Sequence, residues 1–290
     1  MALAHRTAAG WCLAAPVPVG DVATLFDRLR DEAAGGAVAL GVDLPLGLPR
    51  AYVARHVREA DFPTFLRGLA ARPGFFDVCA TLSEITPDRP FYPARGIKGM
   101  TRAAHAAALG LDGPAGLSRA CDRATAERPA GAPLFWTLGA NQTGKAAIAA
   151  WRDLFIPALA SPTPMRLWPF DGDFCDLLAP GAVVVAETYP AEALRHLGLR
   201  LTGSKRRQGD RAALAGKLGA AMARLGVRPD AALTALMNDG FGARPDGEDR
   251  FDCVLGVLAV LNVLAGHRPD TPPNDPWLRS WEGFVLGQTA

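Results

Sequence analysis

The sequence predicts an α/β fold around a central sheet, and three observations carry this. Residues 37–43 (AVALGVD) and 181–188 (GAVVVAET) are apolar runs bounded by prolines and glycines, which read as buried strands. Amphipathic helical patterns alternate with them. The order strand, helix, strand, helical insertion, strand, helices is that of a sheet covered by helices, with strands buried on both faces.

Taken in order, residues 10–15 (GWCLAA) form a short apolar strand ending at Pro16. Asp21 then precedes Val22, Leu25, Phe26 and Leu29, spaced i, i+3, i+4, i+7, which is an amphipathic helix with Asp21 as its N-cap. Gly35 and Gly36 stop it. The strand over 37–43 ends sharply at Pro45, Gly47 and Pro49. Residues 50–165 are a mosaic: helices over 51–58 and 62–71, a loop over 86–99, a strand over 134–138 (LFWTL), and a helix over 145–159 interrupted near Pro157. The strand at 181–188 is followed by a short helix over 192–198, a basic loop at 205–207, and a helix over 210–225 that ends at Gly226. A second helix over 248–265 is apolar nearly all round beyond its first turn, so it is expected to be buried. Residues 281–286 are expected to pack back on the body. No repeat, heptad or linker interrupts the chain. It is expected to be one domain over 1–290, with a mostly helical insertion at about 50–165.

Composition excludes some classes. With 290 residues, 49% hydrophobic and 21% charged, the chain is neither disordered nor fibrous. Lys and Arg number 31 against 29 Asp and Glu, so no whole-molecule basic field marks a nucleic-acid binder. Such a partner needs a local patch. The cysteines at 12, 79, 121, 175 and 253 are odd in number and show no CxxC or CxH spacing. They read as scattered reduced thiols, and the expected compartment is the cytoplasm. No signal peptide pattern is visible. The longest apolar run, 254–265, is too short for a bilayer, so no membrane partner is expected.

Chemistry is expected at the strand ends. Asp43 closes one apolar strand and Glu187 lies near the close of another. In open α/β sheets the carboxyl edge is where ligands bind. Either carboxylate alone suits a turn cap or an arginine partner equally well; the pair points to function, because carboxylates on buried strands are costly unless paired or metal-bound. Asp252 opens the buried helix, with small residues Gly256 and Ala259 at i+4 and i+7 letting that helix approach the sheet. Asp249 and Asp252 also fit an ordinary capping arrangement at a helix start. Three carboxylates from two strand ends and a helix suit Mg²⁺ or Mn²⁺, and a pair of such ions can support phosphodiester hydrolysis. Lys205, Arg206, Arg207 and Arg211 are candidate phosphate contacts, though each taken singly reads first as part of a solvated basic loop. Residues 139–145 (GANQTGK) match seven positions of a phosphate-binding loop, but Ala146 lacks the hydroxyl of the eighth. Gln142 and Lys145 remain candidates for holding a phosphate or carboxylate. Tyr189, Trp136 and Trp168 are candidates to stack on a base, or core fillers.

These segments together resemble a family. Residues 41–49 (GVDLPLGLP), 135–147 (FWTLGANQTGKAA), 168–172 (WPFDG), 185–192 (VAETYPAE), 249–252 (DRFD) and 282–287 (EGFVLG) are similar, in order, to the motifs of domain of unknown function 429, described as predicted RNase H-like nucleases. The resemblance runs from about residue 35 to 287. It implies an RNase H-like mixed sheet flanked by helices, a site of Asp43, Glu187, Asp252 and Asp249 on Mg²⁺ or Mn²⁺, and nucleic acid as partner. One departure stands out. Such nucleases place an Asp in their first strand, and here no acidic residue precedes Asp21. Either that strand lies upstream of Met1 or the chain has lost a ligand. The second alternative makes the protein a non-catalytic module that binds a small ligand, nucleic acid or protein at the same edge.

Overall fold

A computed structural model describes residues 1–96, 98–124, 129–139, 142–161 and 165–289. Its strands are β1 (Ala4–Thr7), β2 (Gly10–Leu13), β3 (Val38–Val42), β4 (Met165–Leu167), β5 (Val183–Glu187) and β6 (Val227–Pro229). The expected central sheet is present as two sheets. One has the order β1-β2-β6, with β1 antiparallel and β6 parallel to β2. The other has the order β3-β5-β4 and is wholly parallel. The architecture is mixed α/β with small open sheets containing parallel strands.

The second sheet follows from its residues. Val183, Val184, Val185, Ala186 and Glu187 are all buried, as expected of a strand covered on both faces. Val183 and Val185 belong to one apolar core, Val184 and Ala186 to another. The first core is shared with the helical insertion; the second is shared with a long helix and the chain's last apolar residues. On β3, Val42 belongs to the insertion core and Ala39 packs on the other.

The helices are α1 (Leu25–Glu32), α2 (Arg50–His56), α3 (Phe62–Gly68), α4 (Arg102–Ala108), α5 (Thr143–Ala149), α6 (Ile156–Ala160), α7 (Pro190–His196), α8 (Gln208–Ala212), α9 (Ala215–Arg224), α10 (Ala231–Asn238) and α11 (Asp246–Leu264). Asp21 caps as expected, accepting from Ala23 N at 2.9 Å, but it caps a 3₁₀ turn (Val22–Thr24) that leads into α1. A π-helical turn (Ala150–Phe155) joins α5 to α6, accommodating Pro157. None of the described helices is long and apolar enough to cross a membrane.

Some expectations change. Residues 134–138 form a turn with a single bridge, Tyr92 to Trp136, rather than a strand. The helix expected over 210–225 breaks after Ala212 into α8 and α9. Strands β4 and β6 are three residues each, too short for periodicity to mark. The last segment does pack back: a helical turn (Leu278–Glu282) precedes Val285, which bridges to Glu187, and Leu286 N donates to Glu187 O at 2.8 Å.

Candidate functional site

Strand pleat decides which carboxylates meet. β3 and β5 pair with Val42 opposite Glu187, which places Asp43 opposite Thr188. Side chains alternate across a sheet, so Val42 and Glu187 share one face while Asp43 and Thr188 share the other. The face of Asp43 is covered by α11. A Cβ at Gly41 would lie 2.9 Å from Val260 of that helix, and one at Gly256 would lie 3.6 Å from Thr188 Oγ1. Gly256 brings the helix close to the sheet as expected, whereas Ala259 packs in the core shared with α7 and α9.

Asp43 and Asp252 therefore belong to one site, at the wide mouth of a cleft of about 1220 Å³ that Asp249 also lines. Among the described residues, no hydrogen bond or ion pair reaches the Asp43 carboxylate. It faces open space, yet sits in a concave wall with protein around it. Desolvation, followed by the nearby Asp252 charge, pushes its pKa up to about 7. Asp252 is also raised, by burial, and this outweighs Lys205. Lys205 Nζ donates to Asp252 Oδ2 at 2.6 Å, whereas the buried Oδ1 has no partner. Glu248 stands 3.8 Å from Lys205 and 3.9 Å from the exposed Arg206.

The loop carrying Lys205 is held from beneath. Arg211, buried, donates to the carbonyls of Lys205, Gly240 (2.8 Å) and Gly242 (2.7 Å). Ser204 N donates to Asp210 Oδ2 at 2.8 Å. Arg211 is thus a loop clamp and does not reach out to a phosphate as expected. Arg207 is exposed and lies 3.8 Å from Asp210.

Glu187 belongs elsewhere, which corrects its assignment beside Asp43 and Asp252. It is fully buried on the insertion face, and both its oxygens are engaged by Arg119, at 2.7 Å to Nη2 and 2.6 Å to Nη1. Arg119 also holds Asp122 through Nε and Nη2, each at 3.0 Å. Tyr189 donates its hydroxyl to Asp122 Oδ1 at 2.7 Å, so it completes this buried network and is not a base-stacking platform. Burial drives the Tyr189 pKa well above its ordinary value, which keeps it a neutral donor. Cys121, Asp122 and Glu187 bring ligand-type atoms within 4.8 Å of one another, a spacing compatible with a cation. The Arg119 guanidinium already supplies that positive charge, and burial raises the Cys121 thiol well above its usual range, which disfavours the thiolate a metal needs.

The network explains the residues after Asp43. Leu46 N donates to Glu187 Oε2 at 2.8 Å, and Leu46 O accepts from Arg119 Nη1 at 3.0 Å. Pro45 O accepts from Trp151 Nε1 at 2.8 Å, and Leu48 N donates to Trp281 O at 2.7 Å. Gly47 has φ +125°, and a Cβ there would lie 2.1 Å from Glu282 O. The Leu-Pro-Leu-Gly-Leu-Pro run is therefore a fixed strap that aims Asp43 from the strand end. Sequence reading missed Arg119 and Asp122, the residue before a short 3₁₀ turn (Ala120–Asp122) and the last residue of that turn, which carry no local motif.

Gln142 and Lys145 are exposed at the start of α5, and neither lines the Asp43 cleft. Residues 140 and 141 of the loop resembling a phosphate-binding loop lie outside the described residues. Trp168 is buried and donates to Asp270 O at 2.8 Å, and Trp136 is also buried, so both fill core.

No family model, no curated protein and no solved structure matches this chain.

Proposed function

We propose that the protein is an RNase H-like, divalent-metal-dependent hydrolase of phosphodiester bonds, as its resemblance to domain of unknown function 429 implies, with Asp43 and Asp252 as the residues that hold Mg²⁺ or Mn²⁺ and Asp249 lining the same cleft. The observation that carries this reading is the convergence of Asp43 and Asp252 with too little positive charge between them. Among the described residues, Asp43 has no hydrogen-bond partner and the buried Asp252 Oδ1 has none either, and the Asp43 pKa is pushed up to about 7. Hard oxygen donors left in this state fit a hard cation. When bound, such an ion supplies Lewis-acid polarisation of a phosphoryl oxygen and lowers the pKa of water.

The chain's own residues do the remaining work. Asp43 must ionise before it binds a cation, so loading follows its pKa. Lys205, anchored by Arg211 and half engaged by Asp252, is placed to meet a phosphate entering the cleft mouth. Arg206, with its side chain 75% exposed, can contact the next phosphate along a strand. Glu187 acts at one remove: with Arg119 it fixes the strap that orients Asp43.

Calorimetric titration of the protein with Mn²⁺, together with cleavage of single- and double-stranded DNA and RNA, tests this. Binding and cleavage lost in both Asp43→Asn and Asp252→Asn is the expected result. Wild-type cleavage in both variants removes the proposal.

One observation favours a second reading, a non-catalytic module at the same edge. Lys205 Nζ, 2.6 Å from Asp252, already offers a cation where the metal is placed. Absence of carboxylate-dependent Mn²⁺ binding decides for that reading.

A further inference from the structure

We propose that the cleft between the two sheets is a strand-acceptor slot, which takes an extended, apolar polypeptide segment of about six residues as a seventh strand and joins both sheets into one. The argument does not depend on the metal reading.

The cleft has the walls of a missing strand. One wall is β1 with its flanking residues 1–6; the opposite wall is β3 with its flanking residues 36–44. Among the described residues, each of these strands is paired on one side only. On β3, Val38 N donates to Ala182 O and Val42 O accepts from Thr188 N, so Val38, Leu40 and Val42 turn their main-chain groups toward β5. By the alternation of a β-ladder, Ala39, Gly41 and Asp43 turn theirs into the cleft. On β1, Leu3 O accepts from Ala14 N, so Leu3, His5 and Thr7 face β2. Ala2, Ala4 and Arg6 therefore turn theirs into the same cleft. Two rows of main-chain donors and acceptors thus face one space, and an extended backbone is the ligand that answers both. His5 Nε2 lies 3.5 Å from Glu32 Oε1, which ties β1 to the end of the helix that leads into β3.

The side-chain faces agree. Roof and floor of the cleft come from α1 (Leu25, Leu29) and α11 (Val257, Val260, Leu261, Leu264). Both are apolar, so the occupant is apolar on both faces. A strand of five or six residues is also an ordinary length. The cleft's 1220 Å³ exceeds the roughly 300–1,000 Å³ of small-molecule pockets.

A second observation points the same way. β5 is fully buried, but Val38, Ala39, Leu40 and Gly41 of β3 are only half-buried despite an equally apolar sequence. On α11, Cys253, Gly256, Val257 and Leu264 form a half-buried stripe on a helix whose composition demands burial all round. These half-covered apolar positions converge on the slot. A long apolar edge left open is a liability that folded proteins normally cover.

The test uses a labelled peptide, Lys-Val-Ile-Val-Ile-Val-Ile-Lys, with both termini blocked, read by fluorescence anisotropy on the full chain. Two further peptides carry N-methyl groups on alternate residues, one on the first, third and fifth apolar positions, the other on the second, fourth and sixth. Saturable binding is expected, weakened at least tenfold by either methylated set, because each set removes the donors to one wall. Amide hydrogen exchange should slow in both β1 and β3 on binding. Three outcomes overturn the proposal. One is no saturable binding. Another is affinity indifferent to methylation, which marks mere greasy adsorption. The third is sensitivity to one set with protection of one strand, which marks simple addition at a single edge. A dimer in solution whose interface protects β1 and β3 before peptide is added overturns it as well, assigning the slot to a second copy of this chain.

Discussion

Asp43 and Glu187 end neighbouring strands one register step apart, and the pleat sends their carboxylates to opposite faces of the sheet. One remains unpartnered at a cleft mouth, raised to a pKa near 7. The other is locked by a buried guanidinium 2.6 Å away. Two acids that look alike in sequence therefore have different work, and substitutions separate them.

Asp43→Asn is expected to stabilise the protein at pH 8 and to leave it little changed at pH 4. The folded pKa of about 7 lies above the ordinary 3.8, so the native state binds the proton more tightly than the unfolded chain. Stability then falls as pH rises from about 4 to 7 and is flat above. The side chain is open to water, which screens the penalty, so a gain of about 2 °C in Tm at pH 8 is expected. Thermal melts of both proteins across this range check the sign.

Metal loading should show the same titration from the other side. Only ionised Asp43 binds a cation, so the affinity for Mn²⁺ should rise about tenfold from pH 6 to pH 8, as the ionised fraction passes through a pKa near 7. Titration calorimetry at both pH values reads this. A pH-independent affinity places the ion elsewhere.

Arg119→Met should be severely destabilising. It leaves Glu187 and Asp122 buried without their cation, a type of change that costs about 3–5 kcal/mol. Denaturant unfolding of the single variant, and of Arg119→Met with Glu187→Gln and Asp122→Asn, measures it. Partial recovery in the triple variant is expected, since the uncompensated charges are then gone.

Lys205→Met should tighten Mn²⁺ binding several-fold, because the ammonium now engaging Asp252 Oδ2 is removed. Cleavage should nonetheless weaken, mainly in KM, if Lys205 meets a substrate phosphate. Parallel binding and kinetic measurements separate the two effects.

Gly47→Ala should cost about 2 kcal/mol or more, since its φ of +125° suits glycine and its Cβ would lie 2.1 Å from a backbone oxygen of Glu282. Unfolding by urea checks the loss. An unchanged midpoint means that the strap does not hold Asp43 rigidly.

Much of this was legible in the chain itself. The apolar runs at 38–42 and 183–187, the long apolar helix and its small residues at 256 and 259 all follow from local pattern. So does the placing of Asp43 at a strand end; Asp252, expected to open its helix, lies in the second turn instead, because the helix begins at Asp246. Each depends on neighbours within a few residues. Asp43 and Glu187 could not be told apart this way, because each ends an apolar strand before a proline-containing turn. What separates them is the strand register, a relation between residues 145 apart in sequence, since Val42 pairs with Glu187. The Arg119 and Asp122 network was hidden for the same reason: an arginine buried just before a three-residue 3₁₀ turn carries no periodic signal.

The sequence alone determined the two long apolar strands, the long buried helix and the acid at the end of each strand, because hydrophobic period and turn chemistry are local. Tertiary structure decided which acids meet, which arginine neutralises Glu187, and that β1 and β3 line one cleft. Those outcomes depend on register, pleat and the approach of α11 to the sheet, and these are set only when distant segments pack.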